Sequence, residues 1–477
     1  MKYDYTIIGG GPSGIYCADK LSQLGYKVCL VESLETLGGC HRVRYIENTK
    51  TDKTHTEHGP RIYLGCYLDF WKWIEEINVS LKDFEVYKFD MLSKDFFDFI
   101  SNYNPKELFH FILSYINYCI LGINLTDKYT VQDFIKDNNF SEKGSKSLNR
   151  VCRLIDGGNI DKTLLKSLLN GIDVGLVYKI YEPTDSMDEL IWNKFYNKLL
   201  NQNVEILLNT PVKEINIGRV ITDTNSIDTD NIILTIPPYA LNNIKNAPLL
   251  CGYEPDIFDE LSKYQQYEPY ICATIQFENF SPKEEWGIAN EHPWGMIAID
   301  MGRYIKKISG SMFIVSITHP EKIDPEVNKS ANDMEKEEFL NRVVSLVKTR
   351  FKIKDNPIKK TFSPNVKKIN GKWIEYDRAF MYSPPGWLKP DINISKKNKV
   401  YTTGHHIGES YHEYNSMESA IQNASKLLSI IDTRYNYQIT KPYSLSFFIW
   451  ILIILIISFI LYNKRKYAKK IYKKYII

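Results

Sequence analysis

Residues 9–32 carry the spacing with the clearest chemical meaning. Gly9-x-Gly11-x-x-Gly14 follows the apolar run 5–8, and Glu32 closes a second apolar run, 28–31, eighteen residues beyond Gly14. Glycines at these three places have separate jobs. Gly9 permits a tight turn out of a strand, Gly11 lets bare backbone approach a pyrophosphate, and Gly14 lets the next helix lie close on the sheet. Pro12 and Ser13 open that helix, whose unpaired N–H groups and positive dipole end attract an anion. Glu32 is placed to accept hydrogen bonds from an adenosine ribose. The pattern predicts dinucleotide binding.

That chemistry needs a strand, a turn, a helix and a second strand in register. The apolar runs 5–8 and 28–31, with an apolar-periodic segment between them reaching Leu24, predict such a unit. A second glycine pair, Gly38-Gly39, then leads to Cys40-His41-Arg42. An enzyme that only bound a nicotinamide dinucleotide would not need it.

An acid followed by Gly-Gly-x-x-Arg resembles the FAD-binding start of the flavin-containing amine oxidoreductase superfamily. That superfamily includes monoamine oxidases, protoporphyrinogen oxidases, carotenoid desaturases and, more remotely, UDP-galactopyranose mutases. The likeness continues in order along the chain. Gly59-Pro60-Arg61 resembles a segment that lies against the flavin ring system, and the run 208–215 (NTPVKEI within it) resembles the strand whose Val, here Val212, offers backbone contacts to adenine. Near the end, a strand stopping at Gly404 and a helix starting at Met417 resemble the motif that approaches the ribityl chain and the flavin's pyrimidine edge.

The resemblance implies an α/β fold: a Rossmann-like FAD-binding domain with an inserted α+β substrate domain, plus a C-terminal transmembrane helix. The FAD-binding parts are expected at 1–63, 186–254 and 385–434, and the substrate-domain parts at 64–185, mainly helical, and 255–384. It implies an FAD-dependent oxidoreductase that passes a hydride equivalent from a small-molecule substrate to flavin N5. The alternatives are a flavin-dependent nucleotide-sugar mutase and a scaffold that binds FAD without catalysis. Departures narrow the first reading. Cys40 stands where many members carry an Arg, and Ser416 stands where monoamine oxidases carry an aromatic cage residue. No Cys occurs in 377–385, where those enzymes attach flavin, so non-covalent FAD is expected.

At 477 residues the chain has material for about three domain-sized units. The net charge of +3 hides an asymmetry: residues 463–477 hold seven Lys/Arg and no acid, and subtracting them leaves −4. A mildly acidic body argues against a nucleic-acid partner. The eight cysteines show no CxxC pair and no metal-ligand spacing, which suggests reduced thiols. The strand at the N-terminus leaves no room for a signal peptide.

Helices are expected at 67–77, 105–123, 130–136 and 161–170, with Thr130 and Asp133 as a capping pair. The charge-free run 108–126 reads as a buried helix, since it contains His110, Asn117 and Asn124 and lacks flanking anchors. Trp286, Trp294, Trp373 and Trp387 read either as core or as pocket lining. Residues 443–462 are different: twenty residues without a charge, bracketed by tyrosines. Their length matches a bilayer core of about 30 Å. The expectation is a single-pass tail anchor with the catalytic domain cytosolic, similar to the basic-tailed anchors of the mitochondrial outer membrane.

Overall fold

The strand Lys2–Ile8 is central, with its apolar residues Tyr3, Tyr5, Ile7 and Ile8 all buried. It pairs in parallel with Ser226–Leu234 on one side and Val28–Val31 on the other. The computed structural model describes residues 2–47, 53–59, 61–87, 100–126, 128–156, 158–252, 256, 258–259, 262–263, 271–279, 286–287, 292–375, 394–395, 398–408, 410, 416–436 and 439–475. Pro60, Trp387 and the Trp286 side chain lie outside these.

Eight strands form the main sheet. Its order from one edge is Ile394–Ser395, Val400–Thr402, Ser226–Leu234, Lys2–Ile8, Val28–Val31 and Glu205–Leu207, and Arg219–Thr222 and Val212–Asn216 form a hairpin off Ser226–Leu234. Three stretches far apart in sequence thus share one sheet. The helix Pro12–Gln23 covers one face through Ile15, Tyr16, Cys17, Ala18 and Leu21. Full burial of such side chains stabilises by about 1.5–3 kcal/mol each for the larger ones.

A second, five-stranded antiparallel sheet runs in the order Trp286–Gly287, Met296–Asp300, Ser311–Ile317, Ile271–Phe277, Lys359–Phe362. Strand alternation gives it two faces. Ile271, Ala273, Ile275 and Phe277 pack toward the helix Lys336–Phe351, while Cys272, Ile297, Ile299, Met312 and Ile314 pack toward Ile62 and Ile180. Trp294 and Trp373 belong to the core of the first face.

Residues 64–185 are mainly helical, with Leu68–Glu75, Val131–Asp137, Glu142–Asp156 and Leu165–Gly175. The Thr130–Asp133 capping box forms, with Asp133 N donating to Thr130 Oγ1 at 3.1 Å. Two expectations need correction. The helix expected at 161–170 runs from Leu165 to Gly175, because residues 159–163 make turns and strand-like contacts before it.

The segment 108–126 is helical as far as Ile120 but not buried. It forms Pro105–Tyr115 and a π-turn, Ile116–Ile120, and leaves Phe109, Ile112, Leu113, Ile116, Leu121 and Ile123 exposed. It lies on the rim of a small helical cluster. Phe111, Tyr115, Tyr118, Cys119 and Leu125 pack there while the rest of its apolar side chains stay largely open, so the missing charges do not reflect burial. The C-terminal helix Leu445–Tyr475 runs unbroken from the apolar stretch into the basic tail.

Candidate functional site

The carboxyl ends of the parallel strands line up. Gly9 N donates to Val31 O, Thr235 N to Ile8 O, Thr403 N to Leu234 O and Glu32 N to Leu207 O, all at 2.9–3.0 Å. In open α/β sheets a ligand binds outside this edge. The sequence-selected residues Gly9, Gly11, Glu32 and Gly404 all stand on it.

The fingerprint glycines differ in what the protein itself requires of them. Gly9 has φ +110°, and a Cβ on Gly14 would lie 1.9 Å from Gly9 O, so turn and packing demand both. Gly11 is another case. Its φ is −76°, open to any residue, and an added Cβ would meet only Gly39 Cα at 3.8 Å. Neither backbone nor packing calls for glycine there, so the space before the helix N-terminus suits something outside the chain. No side chain caps the helix Pro12–Gln23, whose first-turn N–H groups have no partners within the helix.

The second glycine run faces the first. Gly38 N donates to Gly10 O at 2.8 Å, and Gly38 (φ +111°) lies against the Trp192 ring, which a Cβ would meet at 2.6 Å. Trp192 Nε1 donates to His41 O at 3.1 Å. Arg42, buried, donates from one terminal nitrogen to Gly39 O at 2.5 Å.

Glu32 is buried and already engaged. One carboxylate oxygen accepts from Gly10 N at 2.6 Å, and the other accepts from Leu34 N at 2.9 Å and Ser33 Oγ at 3.0 Å. A carboxylate offers about four acceptor positions, so one remains for a ligand. Thr210 N donates to Glu32 O at 2.9 Å, which brings the segment leading to Val212 beside it. Val212 begins its strand paired with Thr222.

The helix Met417–Ile431 closes the other side. Ser416 caps it in a reciprocal box with Ser419, and Ser13 Oγ donates to Ala420 O at 2.9 Å. The helix N-termini at Gly11 and Met417 are therefore neighbours. Asn423 Nδ2 holds Gly404 O at 2.9 Å, and Gly404 (φ +155°) sits under the His406 ring. Glu418 was not anticipated from the sequence. Its oxygens accept from Asp69 N and Phe70 N at 2.9 and 2.8 Å, capping the helix Leu68–Glu75 from a distant part of the chain.

Arg61 lies elsewhere than against an open space. Its Nε donates to Glu57 at 2.7 Å, and its NH2 donates to Cys40 O at 2.7 Å and Arg42 O at 3.3 Å. It clamps the second glycine run to the segment holding Gly59, which is buried. Burial disfavours a charged Glu57, but Arg61 and His55 outweigh it and hold the carboxyl below its ordinary range. Burial, helped by Arg61, keeps His41 and His58 neutral well below the usual histidine range.

Next to this clamp is Glu182. It is fully buried, and among the described residues neither of its oxygens has a hydrogen-bond partner. Burial, then the charge of Glu57, raises its carboxyl well above the usual range. Strand alternation puts Glu182 on the same side as Ile180, toward the Cys272–Ile314 face of the five-stranded sheet. Thr274 Oγ1 and Ser316 Oγ on that face are likewise buried without partners. Orphaned buried polar atoms are costly, so a group from outside the chain fits here.

The NAD(P)-binding Rossmann-like domain family matches residues 7–77. Across the whole chain, an oxidoreductase from Methanosarcina mazei superposes with TM-score 0.62 and 15% identity, covering 90% of this chain and all of that one. Putrescine oxidase bound to putrescine gives 0.63 and 13%, covering 90% and 99%. This chain has the fold of these two proteins. Cyclohexylamine oxidase from Brevibacterium oxydans, with the same fold, gives 0.60 and 15%, covering 90% and 98%. Within that fold, Glu182 and Glu418 carry no local motif; strand pairing and helix packing bring them to the site.

Proposed function

We propose that this chain is a membrane-anchored FAD-dependent oxidoreductase acting on a small organic molecule. The observation that carries the reading is the bare backbone of Gly11, where an added Cβ would meet only Gly39 Cα at 3.8 Å, before an uncapped helix N-terminus, with Glu32 at the end of the next strand. The backbone of Gly11, Pro12 and Ser13 would hold the pyrophosphate, and Glu32 and the Val212 backbone would hold the adenosine half. Gly38, Gly39 and Arg42, with Gly59 and Arg61 behind them, would shape the flavin's bed. Gly404 and the helix starting at Met417 would meet its ribityl and pyrimidine side. When bound non-covalently, FAD supplies the two-electron acceptor, taking a hydride equivalent at N5.

The chain's own contribution is to position substrate and exclude water. Glu182, Thr274 and Ser316 offer hydrogen bonds from buried oxygens that have no partner among the described residues. The exposed apolar helix from Leu445 supports a tail anchor. It leaves the catalytic body on the cytosolic side, beyond a basic tail.

Anaerobic mixing of the purified protein with amines, porphyrinogens, polyenes and nucleotide sugars tests the reaction class. Bleaching of the flavin's visible absorbance by one of the first three supports it. No bleaching, with nucleotide-sugar turnover only after dithionite reduction, would replace it with the mutase reading.

A further inference from the structure

Phe109, Ile112, Leu113 and Ile116 recur at helical spacing on one face of Pro105–Ile120, and Leu121 and Ile123 follow the helix end. All six are exposed, Phe109 at 61% and Ile112 at 54%. No charged residue occurs from 108 to 126. A contiguous apolar surface of this kind marks an interaction site.

Its neighbour identifies the partner. Trp450, one turn into the C-terminal apolar helix, donates from Nε1 to Ile120 O at 2.9 Å. Asp173 binds both elements: it accepts from Tyr115 OH at 2.7 Å and from Ser446 N and Oγ at 2.7 Å, capping the start of the apolar helix. Tyr178 OH accepts from Tyr443 N at 2.9 Å. These bonds fix the exposed face at the level where the apolar helix begins.

Depth then follows from helix geometry. Trp450 is five residues past Leu445, about 8 Å along the axis at 1.5 Å per residue. A helix lying in a membrane interface buries its apolar side about 5–10 Å deep. Thus if Leu445–Arg465 crosses a bilayer, the level of Ile120 falls within the layer where an in-plane helix rests.

We infer that the exposed face of Pro105–Ile123 is a second membrane contact, seated in the same leaflet that the C-terminal helix enters, with a phospholipid bilayer as its partner. The inference rests on the reading of Leu445–Arg465 as a membrane span. The body is then held at two points, which fixes its orientation on the membrane, whereas one helix on a flexible joint would let it tumble.

The full chain in phosphatidylcholine vesicles containing an acyl-chain diazirine phosphatidylcholine tests this by photolabelling and peptide mass spectrometry. Lipid adducts are expected in 105–123 as well as in 445–462. Adducts confined to 445–462 would overturn the second contact while leaving the anchor standing, and adducts in neither segment would overturn both. A chain carrying Phe109→Asp and Ile112→Asp, both at exposed positions, is expected to lose most labelling of 105–123 and keep that of 445–462. Unchanged labelling of 105–123 in this variant would also overturn the inference.

Discussion

Ser13 donates its hydroxyl to the carbonyl of Ala420 at 2.9 Å, joining helices more than four hundred residues apart in sequence. The bond is buried and fixes how the two helix N-termini stand at the sheet edge. A buried neutral hydrogen bond contributes about 0.5–1.5 kcal/mol net. Ser13→Ala is expected to lower unfolding free energy by about 1 kcal/mol in urea titration, with flavin content retained because the backbone N–H of residue 13 remains. An unchanged midpoint would show that the two helices need no such tie.

Glu418 makes stability depend on pH. Burial, then the charge of Asp69, raises its carboxyl to about 8, although two backbone N–H groups pull the other way. An unfolded Glu titrates near pH 4.3, so from about pH 4 to about pH 8 the folded state keeps a proton that the unfolded chain has lost. The folded state binds more protons there, so stability falls as pH rises through that window and levels off above it. The buried neutral His41 and His58 act oppositely, but only below their ordinary value of 6.5. The interval between about pH 7 and pH 8 lies above that range, and there the buried thiols, pushed up by burial, add a fall of the same sign that Glu418→Gln leaves in place. Glu418→Gln is expected to flatten the fall in urea midpoint across it, whereas the same fall in the variant would assign it elsewhere.

Local patterns made the first fifty residues legible. Glycine spacing, an apolar run on either side and a terminal acid specify the fingerprint without help from distant residues, and Thr130 with Asp133 was readable for the same reason. Long-range contacts were not. The sequence reading of Arg61 as a cofactor contact did not include the hold of its guanidinium on Glu57 and on the carbonyls of Cys40 and Arg42. The Glu57–Arg61 spacing of four was the available signal. Burial of 108–126 was inferred from missing charge, from His110, Asn117 and Asn124 and from the lack of flanking anchors, but the exposure of a helix is set by what packs over it. Here one side lies on the cluster around Phe134 and the other is open.

The C-terminal helix should be separable from the folded body. Ending the chain after Trp450 keeps the Ser446–Asp173 and Trp450–Ile120 bonds and removes most of the apolar span. The full chain is expected to resist alkaline carbonate extraction from membranes, because burying about twenty apolar residues in lipid is effectively irreversible. The shortened chain is expected in the extract with its flavin. A full chain that carbonate extracts would remove the anchor.

The most direct measurement is the cofactor released by acid from purified wild-type, Glu32→Ala and Gly11→Val proteins, quantified by chromatography against total protein. Equimolar, intact FAD in the wild-type supernatant is expected, with less from Glu32→Ala, which loses the ribose acceptor and the brace on Gly10 N. Almost none is expected from Gly11→Val, in which a branched side chain would occupy the space before the helix N-terminus where only the bare backbone stands now. Full FAD content in Gly11→Val, or no FAD in the wild type, would contradict the assignment.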